Sequence, residues 1–435
     1  MLQRKAYTKL LEWKNTAKHK ALCVVGARQV GKTTLIRKFA EENYANYVEI
    51  NFIRTPKAKK IFAEDVDVDT LIINITAFVG RTLVPGKTLI FLDEIQECPS
   101  ARAAIKFLVE DGRFDYVESG SLLGTNLQEI SSYPVGFEEI YQMYPMDFEE
   151  FQWACGVQPE VIAYLKKCFA ELKQVSDIVH DQMLQYFLRY IVVGGMPKAV
   201  QEYVDTRDMA LVLKEQHDIL RAYKMDINRY SDLSDKPKIK EIFENIPNEL
   251  NAKNRRFKLA HISSFARHNR YGESFLWLAD AGVALPCYNI TEPKMPLKMN
   301  EKHNLFKLYQ SDTGLLCAAC GDNLQFALLT GDVDINKGSI LENVIAQQLL
   351  CNGHALHYYD SKSCGEVDFV CEDKDGITLI EVKSGKDYYR HAALDNVRKN
   401  VAWTFHQTLV LCKGNVEQRD GVIYLPWYMV VYIKP

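Results

Sequence analysis

The chain has 435 residues, 47% of them hydrophobic and 25% charged, with 20 Phe and 23 Tyr; this excludes a disordered scaffold and leaves room for two or three domains with cores of their own. A formal net charge of −3 excludes a basic coat over the whole molecule, though not a local basic surface. The 11 Cys show no repeated spacing, which fits reduced thiols better than an exported disulfide framework, and Cys317-Ala-Ala-Cys320 reads as buried or incidental thiols.

Met1-Leu-Gln-Arg-Lys runs into mixed residues with no apolar stretch of signal or membrane-span length, so a cytoplasmic chain without a membrane partner is expected. Ala21 to Val25, Ala-Leu-Cys-Val-Val, reads as a buried strand of a parallel sheet. It feeds Gly26-Ala27-Arg28-Gln29-Val30-Gly31-Lys32-Thr33-Thr34 and then a helical run from Leu35. In this strand, loop and helix context GxxxxGKT carries a mechanism: the loop turns its N–H groups around phosphate oxygens, and the positive end of the helix favours the anion. ATP is the expected ligand, with Lys32 reaching its β and γ phosphates and the Thr33 hydroxyl holding Mg²⁺.

Tyr47 to Phe52 is a further strand, and Asp67 to Val79 contains a helix. Thr88-Leu-Ile-Phe-Leu92 is a second buried strand; it delivers Asp93-Glu94 to the carboxyl edge of the sheet, where open α/β folds bind ligands. Asp93 is expected to complete the Mg²⁺ shell and Glu94 to polarise an attacking water, although acidic residues at strand ends also serve as helix caps. Phe114 to Ser121 reads as a strand entering a polar turn. Ser119 and Ser121 are γ-phosphate sensor candidates there, or simply part of a serine-rich turn.

A connecting region runs from Tyr133-Pro-Val-Gly through Tyr144-Pro-Met-Asp-Phe-Glu-Glu-Phe151, and residues 157–230 look largely helical, broken by a packing corner at Gly194-Gly195-Met-Pro197. Lys236 to Arg270 holds nine Lys or Arg against three Glu, a local balance of +6. With Arg255-Arg-Phe-Lys258 inside it, this stretch suits a small helical or winged-helix module, its basic face lying on nucleic-acid phosphates or merely solvated. The expected borders are 1–155 for the nucleotide domain, 156–230 for a helical region, 231–298 for the winged-helix-like module and 299–435 for a C-terminal domain.

Glu366-Val-Asp368-Phe-Val-Cys-Glu372 and Ile377-Thr-Leu-Ile-Glu381-Val-Lys383 flank a hairpin turn at Asp373-Lys-Asp-Gly376. If Glu372 opposes Ile377, then Asp368 opposes Glu381 and Glu366 opposes Lys383, all four on one face. Facing carboxylates invite a hard divalent ion, a second Mg²⁺ or Mn²⁺, and Lys383 is placed to act on a phosphorus centre. Glu342, on the helix expected from Gly338 onward, could add a third carboxylate. The competing reading is a salt-bridged, exposed hairpin without chemistry.

Together these segments resemble the P-loop ATPases of AAA-like type (AAA_14) fused to a C-terminal DUF4143 domain. The resemblance is carried by Gly26–Thr34, Asp93-Glu-Ile-Gln96, Tyr144–Phe151, Gly194–Pro197, Lys307-Leu-Tyr-Gln-Ser-Asp312-Thr-Gly314 and Gly365-Glu-Val-Asp-Phe369. It implies an α/β chain with an AAA-like core, a helical or winged-helix middle and a restriction-endonuclease-like C-terminal domain whose site would gather Glu342, Asp368, Glu381 and Lys383. Gly136-Phe137 departs from the Gly-Arg expected of such proteins, so an arginine finger from that position is in doubt; Arg28 and Arg102 remain without a signal of their own. The expected activity is ATP hydrolysis coupled to movement of a DNA- or RNA-contacting region, with phosphodiester cleavage in prospect. The alternative is a nucleotide-switched module, with a protein partner or a second copy, that turns over little ATP and cuts nothing.

Overall fold

The computed structural model describes residues 2–17, 20–63, 67–120, 136–230, 235–251, 268–330 and 337–435. Ser121, Tyr133 and Arg255–Lys258 lie outside them. By contact the chain forms two compact units, the first spanning Gln3–Tyr144 with Asp280–Gly282, the second Pro145–Ala279 and Val283–Pro435. The segments expected as helical, winged-helix-like and C-terminal regions thus fall almost wholly in the second unit.

The first unit opens with α1 (Lys5–Asn15), then β1 (Ala21–Val25), α2 (Lys32–Asn43), β2 (Asn46–Asn51), α3 (Val68–Val79), β3 (Thr88–Asp93), α4 (Pro99–Asp111), β4 (Asp115–Gly120) and β5 (Glu138–Gln142). All its strand pairings are parallel, in the order β2-β3-β4-β1-β5. The uninterrupted apolar runs of β1 and β3 are buried at every residue, as strands covered on both faces must be. β2 and β5 carry mixed residues and take the edges. Asp67 caps α3 by accepting from the Thr70 N–H, and Gly80, with φ 66°, ends it. Because β4 lies between β1 and β3, their carboxyl ends open side by side with that of β4, on the edge where α2 begins.

The second unit begins with helices α5 (Phe148–Ala154), α6 (Pro159–Ala170), α7 (Asp177–Val193), α8 (Pro197–Thr206), α9 (Met209–Tyr230) and α10 (Lys236–Asn251). A mixed eight-stranded sheet follows, ordered β12-β13-β11-β10-β9-β8-β6-β7. Its strands are β6 (Ala284–Ile290), β7 (Glu301–Gln310), β8 (His357–Ser361), β9 (Gly365–Asp373), β10 (Gly376–Val382), β11 (Gln407–Cys412), β12 (Glu417–Arg419) and β13 (Val422–Pro426). The helix Lys337–Cys351 precedes the β8-β9-β10 meander, and the helix Ala392–Arg398 carries the chain over to β11, parallel to β10.

The paired glycines after α7 are a corner in which no side chain fits. A Cβ on Gly195 would lie 2.0 Å from the Met146 carbonyl oxygen, and one on Gly194, where φ is 76°, would lie 2.1 Å from Asp312 Oδ1. Asp312 is fully buried, accepts from the N–H groups of Gly195 at 2.5 Å and Leu315 at 3.0 Å, and so joins the corner to the helix Thr313–Cys320. Burial pushes its carboxyl up to about 6 despite these donors. Gln347 and Gln348, from the helix Lys337–Cys351, both donate to the Tyr190 hydroxyl, which donates to the Met146 carbonyl. Three of the motifs that carry the family resemblance, around residues 146, 195 and 312, are therefore parts of one buried polar knot.

Candidate functional site

β1 is followed by Gly26, where φ is 151° and an added Cβ would lie 2.2 Å from the Met143 carbonyl oxygen. Only glycine lets the loop pass this close to the chain leaving β5. Behind the loop the buried Arg4 guanidinium donates to the Val30 and Tyr144 carbonyls, both at 2.7 Å. Gly31, left-handed at φ 95°, turns the chain into α2, whose first N–H groups thus face the loop's concavity. The Lys32 ammonium donates to the Gly26 and Ala27 carbonyls at 2.8 and 2.9 Å. Enclosure by the loop brings its pKa down to about 8, with Glu94 and Asp93 pulling the other way.

Strand register places Asn51, Asp93 and Ser119 side by side at the carboxyl ends of β2, β3 and β4. Asp93, 2% exposed, accepts from Thr33 Oγ1 at 3.2 Å, from Asn51 Nδ2 at 2.7 Å and from Ser119 Oγ. The Asn51 side-chain oxygen Oδ1 accepts in turn from the N–H groups of Ile53 and Arg54, which fixes its amide so that the NH₂ points at Asp93. Glu94 adopts a left-handed conformation, φ 58°, and accepts from Gln96 Nε2 at 2.6 Å. Thr33 and Asp93 are hard oxygen donors at one point beside the phosphate loop, a set that fits Mg²⁺. Arg102 is 3% exposed and ion-paired to Glu138 at 2.9 Å, so it is committed inside the fold rather than presented to a nucleotide.

In the second unit, β9 and β10 pair in the expected register, Ile377 opposite Glu372 through Ile380 opposite Phe369. One step further, Asp368 Oδ2 accepts from the Val382 N–H at 2.8 Å. Asp368 and Glu381 are each 7% exposed, so the hairpin face is buried and not a solvated one. Burial, and next the charge of Asp368, push the Glu381 carboxyl up to about 8. Lys383 donates to Glu381 Oε1 at 2.7 Å, while Glu381 Oε2 has no hydrogen-bond partner.

The expected Glu366–Lys383 pair does not form. Glu366 sits opposite Asp360 of β8 and takes the ammonium of Lys307, from β7, at 2.7 Å. Lys307 is completely buried; it also lies 3.4 Å from Glu342 Oε2, which accepts from the Tyr309 hydroxyl at 3.3 Å. The structure thus gathers Asp368, Glu381 and Lys383, and gives Glu342 to a lysine. Among the described residues the His, Cys, Asp or Glu group whose ligand atoms all lie within 4.8 Å of one another is Cys23, Glu118 and Glu138, in the first unit. Sequence reasoning missed Arg4, Asn51 and Lys307. Only Lys307 had a signal, its place at the head of the motif that runs to Gly314, and nothing in the chain order links it to residues 342 and 366.

The fold and the P-loop set define the class, a P-loop NTP hydrolase. The chain carries an AAA-type ATPase domain, residues 18–152 matching the family model AAA_14 (AAA domain), and a C-terminal domain of unknown function, DUF4143, over residues 337–430. Residues 184–325 match a further domain of unknown function, DUF8612. No curated protein matches. Among solved structures the chain is similar to the Walker-type ATPase PABY2304 of Pyrococcus abyssi, with 14% identity over 74% of this chain and 96% of that one and a TM-score of 0.44. It is also similar to the ORC1 protein of Aeropyrum pernix in complex with DNA, at 12% identity over 76% and 93% of the two chains with a TM-score of 0.29. A Thermotoga maritima RuvB Holliday junction branch migration motor shows 16% identity, coverage of 65% and 89% and a TM-score of 0.30. Among the described residues no helix is long and apolar enough to cross a membrane.

Proposed function

We propose that the first unit hydrolyses ATP with Lys32, Thr33, Asp93 and Glu94 in distinct roles. The observation that carries this reading is the Asp93 carboxylate, held against Thr33 by Asn51 and Ser119 at the mouth of the loop. The backbone of residues 26–34 cradles the triphosphate. Lys32 leaves its loop carbonyls for the β and γ oxygens, Glu94 orients water, and Ser119 reports to Asp93 on the γ end. Thr33 and Asp93 would hold Mg²⁺, which when bound neutralises charge on the β and γ phosphates. Phosphate release from ATP should need Mg²⁺ and fall by two orders of magnitude or more, roughly, in Lys32→Ala and Glu94→Gln. Binding of ATP with negligible turnover by the wild type would favour a nucleotide-operated switch instead.

A second reading concerns the C-terminal domain. The order helix, three-stranded meander, helix and parallel strand, with Asp368 on one strand and Glu381-Val-Lys383 at the end of the next, supports a restriction-endonuclease-like fold and a phosphodiesterase using Mg²⁺ or Mn²⁺. The observation favouring it is the buried Glu381 oxygen without a partner beside Asp368. DNA or RNA would be the substrate, and ATP turnover would move this region against it. Cleavage assays with Mn²⁺ and ATP should show cutting by wild type and none by Asp368→Ala or Lys383→Ala. No cutting by wild type leaves a domain that binds without hydrolysis.

A further inference from the structure

A second cluster lies along the strand that delivers the P-loop. Cys23 of β1 stands in register with Glu118 of β4, and Glu138 of β5 stands in register with Ala21, two residues away on β1. Glu118 shares its sheet face with Tyr116, which packs in one core with Ala101 and Ile105 of α4; α4 also supplies Arg102, ion-paired to Glu138. The thiol sulfur and one oxygen from each carboxylate all lie within 4.8 Å of one another. Cys23 and Glu118 are 0% exposed, and the oxygens of Glu118 have no hydrogen-bond partner beyond the Cys23 thiol and the Glu138 carboxyl of the cluster itself. A buried carboxylate whose neighbours are a thiol and a second carboxylate is costly unless a cation or a proton neutralises it.

We infer that Cys23, Glu118 and Glu138 form a binding site for a transition-metal dication of the zinc class, distinct from the Mg²⁺ site at Thr33 and Asp93. The charge count supports it. Three ionised ligands less the guanidinium of Arg102 leave two negative charges, which one divalent ion cancels. The thiolate selects against Mg²⁺ and Ca²⁺, which take oxygen ligands, and for Zn²⁺ or its spectroscopic substitute Co²⁺. Without an ion, burial holds both Cys23 and Glu118 toward their protonated forms; metal binding therefore releases protons. The ion ties β4 to β5 across β1, beside the loop that receives the nucleotide.

The test uses the full chain, stripped of metal and free of nucleotide, titrated with Co²⁺. A thiolate-to-Co²⁺ charge-transfer band should grow to one equivalent, disappear in Cys23→Ser, weaken at least about tenfold in affinity in Glu118→Gln, and persist in Cys317→Ala. Mg²⁺-ATP binding by each variant checks that the first unit has folded. Should Cys23→Ser fail that check, X-ray absorption of the Zn²⁺-loaded wild type decides, with one sulfur and the remaining ligands oxygen expected. Absence of the band in the wild type, its survival in Cys23→Ser, or two or more sulfurs at the zinc would overturn the inference.

Discussion

Asp93 shows how little room a buried carboxylate is left at the mouth of the phosphate loop. Three donors from three different segments aim at its two oxygens, and only Thr33 belongs to a motif. Asn51 donates to Asp93 at 2.7 Å, so Asn51→Ala is expected to raise the Mg²⁺ concentration needed for half-maximal ATP hydrolysis by about 10–100-fold, with a smaller change in the rate at saturating Mg²⁺. Lys32 gives a pH prediction. Its ammonium, held near 8 without nucleotide, is favoured again once phosphates replace the loop carbonyls, so ATP binding at pH 8 should take up part of a proton. Calorimetric titration in buffers of different ionisation enthalpy measures that uptake, and Lys32→Ala should abolish it. For stability the sign runs the other way. Since the folded pKa lies below 10.5, the unfolded chain binds more protons between about pH 8 and 10.5, and this residue's contribution rises with pH across that window.

At the scale of elements, the β9–β10 hairpin followed its turn signal and its alternation into the expected register, because a one-residue slip would turn every apolar side chain to the wrong face. Its charges were legible as residues and not as partners: Lys307 reaches Glu366 and Glu342 from a strand more than thirty residues away in sequence, and no local pattern encodes such a pairing. Lys307→Met removes the buried ammonium from the buried Glu342 and the half-buried Glu366 and should cost about 3–5 kcal/mol in urea unfolding; adding Glu342→Leu and Glu366→Leu should restore part of it. Glu381 carries the opposite pH sign to Lys32. Its folded pKa, raised from 4.5 to about 8, means the native state binds more protons than the unfolded one between those values, so its contribution to stability falls as pH rises through the window. Glu381→Gln should remove that decline, raising the melting temperature at pH 8.5 and leaving it nearly unchanged at pH 4.

For the whole molecule, two compact units make a single two-state unfolding transition a poor expectation. Mg²⁺-ATP at a hundred times its dissociation constant should stabilise the first unit by about 2.7 kcal/mol, seen by scanning calorimetry as a shift of its transition and absent in Lys32→Ala. Taken by itself, the amino-acid sequence determined the P-loop, the buried strands β1 and β3, the delivery of Asp93 and the hairpin register. Each of these is written within a dozen consecutive residues, by apolar runs, glycine spacing and turn chemistry. Only the tertiary structure decided which strands neighbour one another, and therefore that Asn51 and Ser119 meet Asp93, that Cys23, Glu118 and Glu138 meet across three strands, and that Gly194, Asp312 and Tyr190 close one knot. Those meetings depend on sheet order and on contacts between distant segments, and their physical driver, the burial of polar groups that must find partners, acts only once the chain has closed around them.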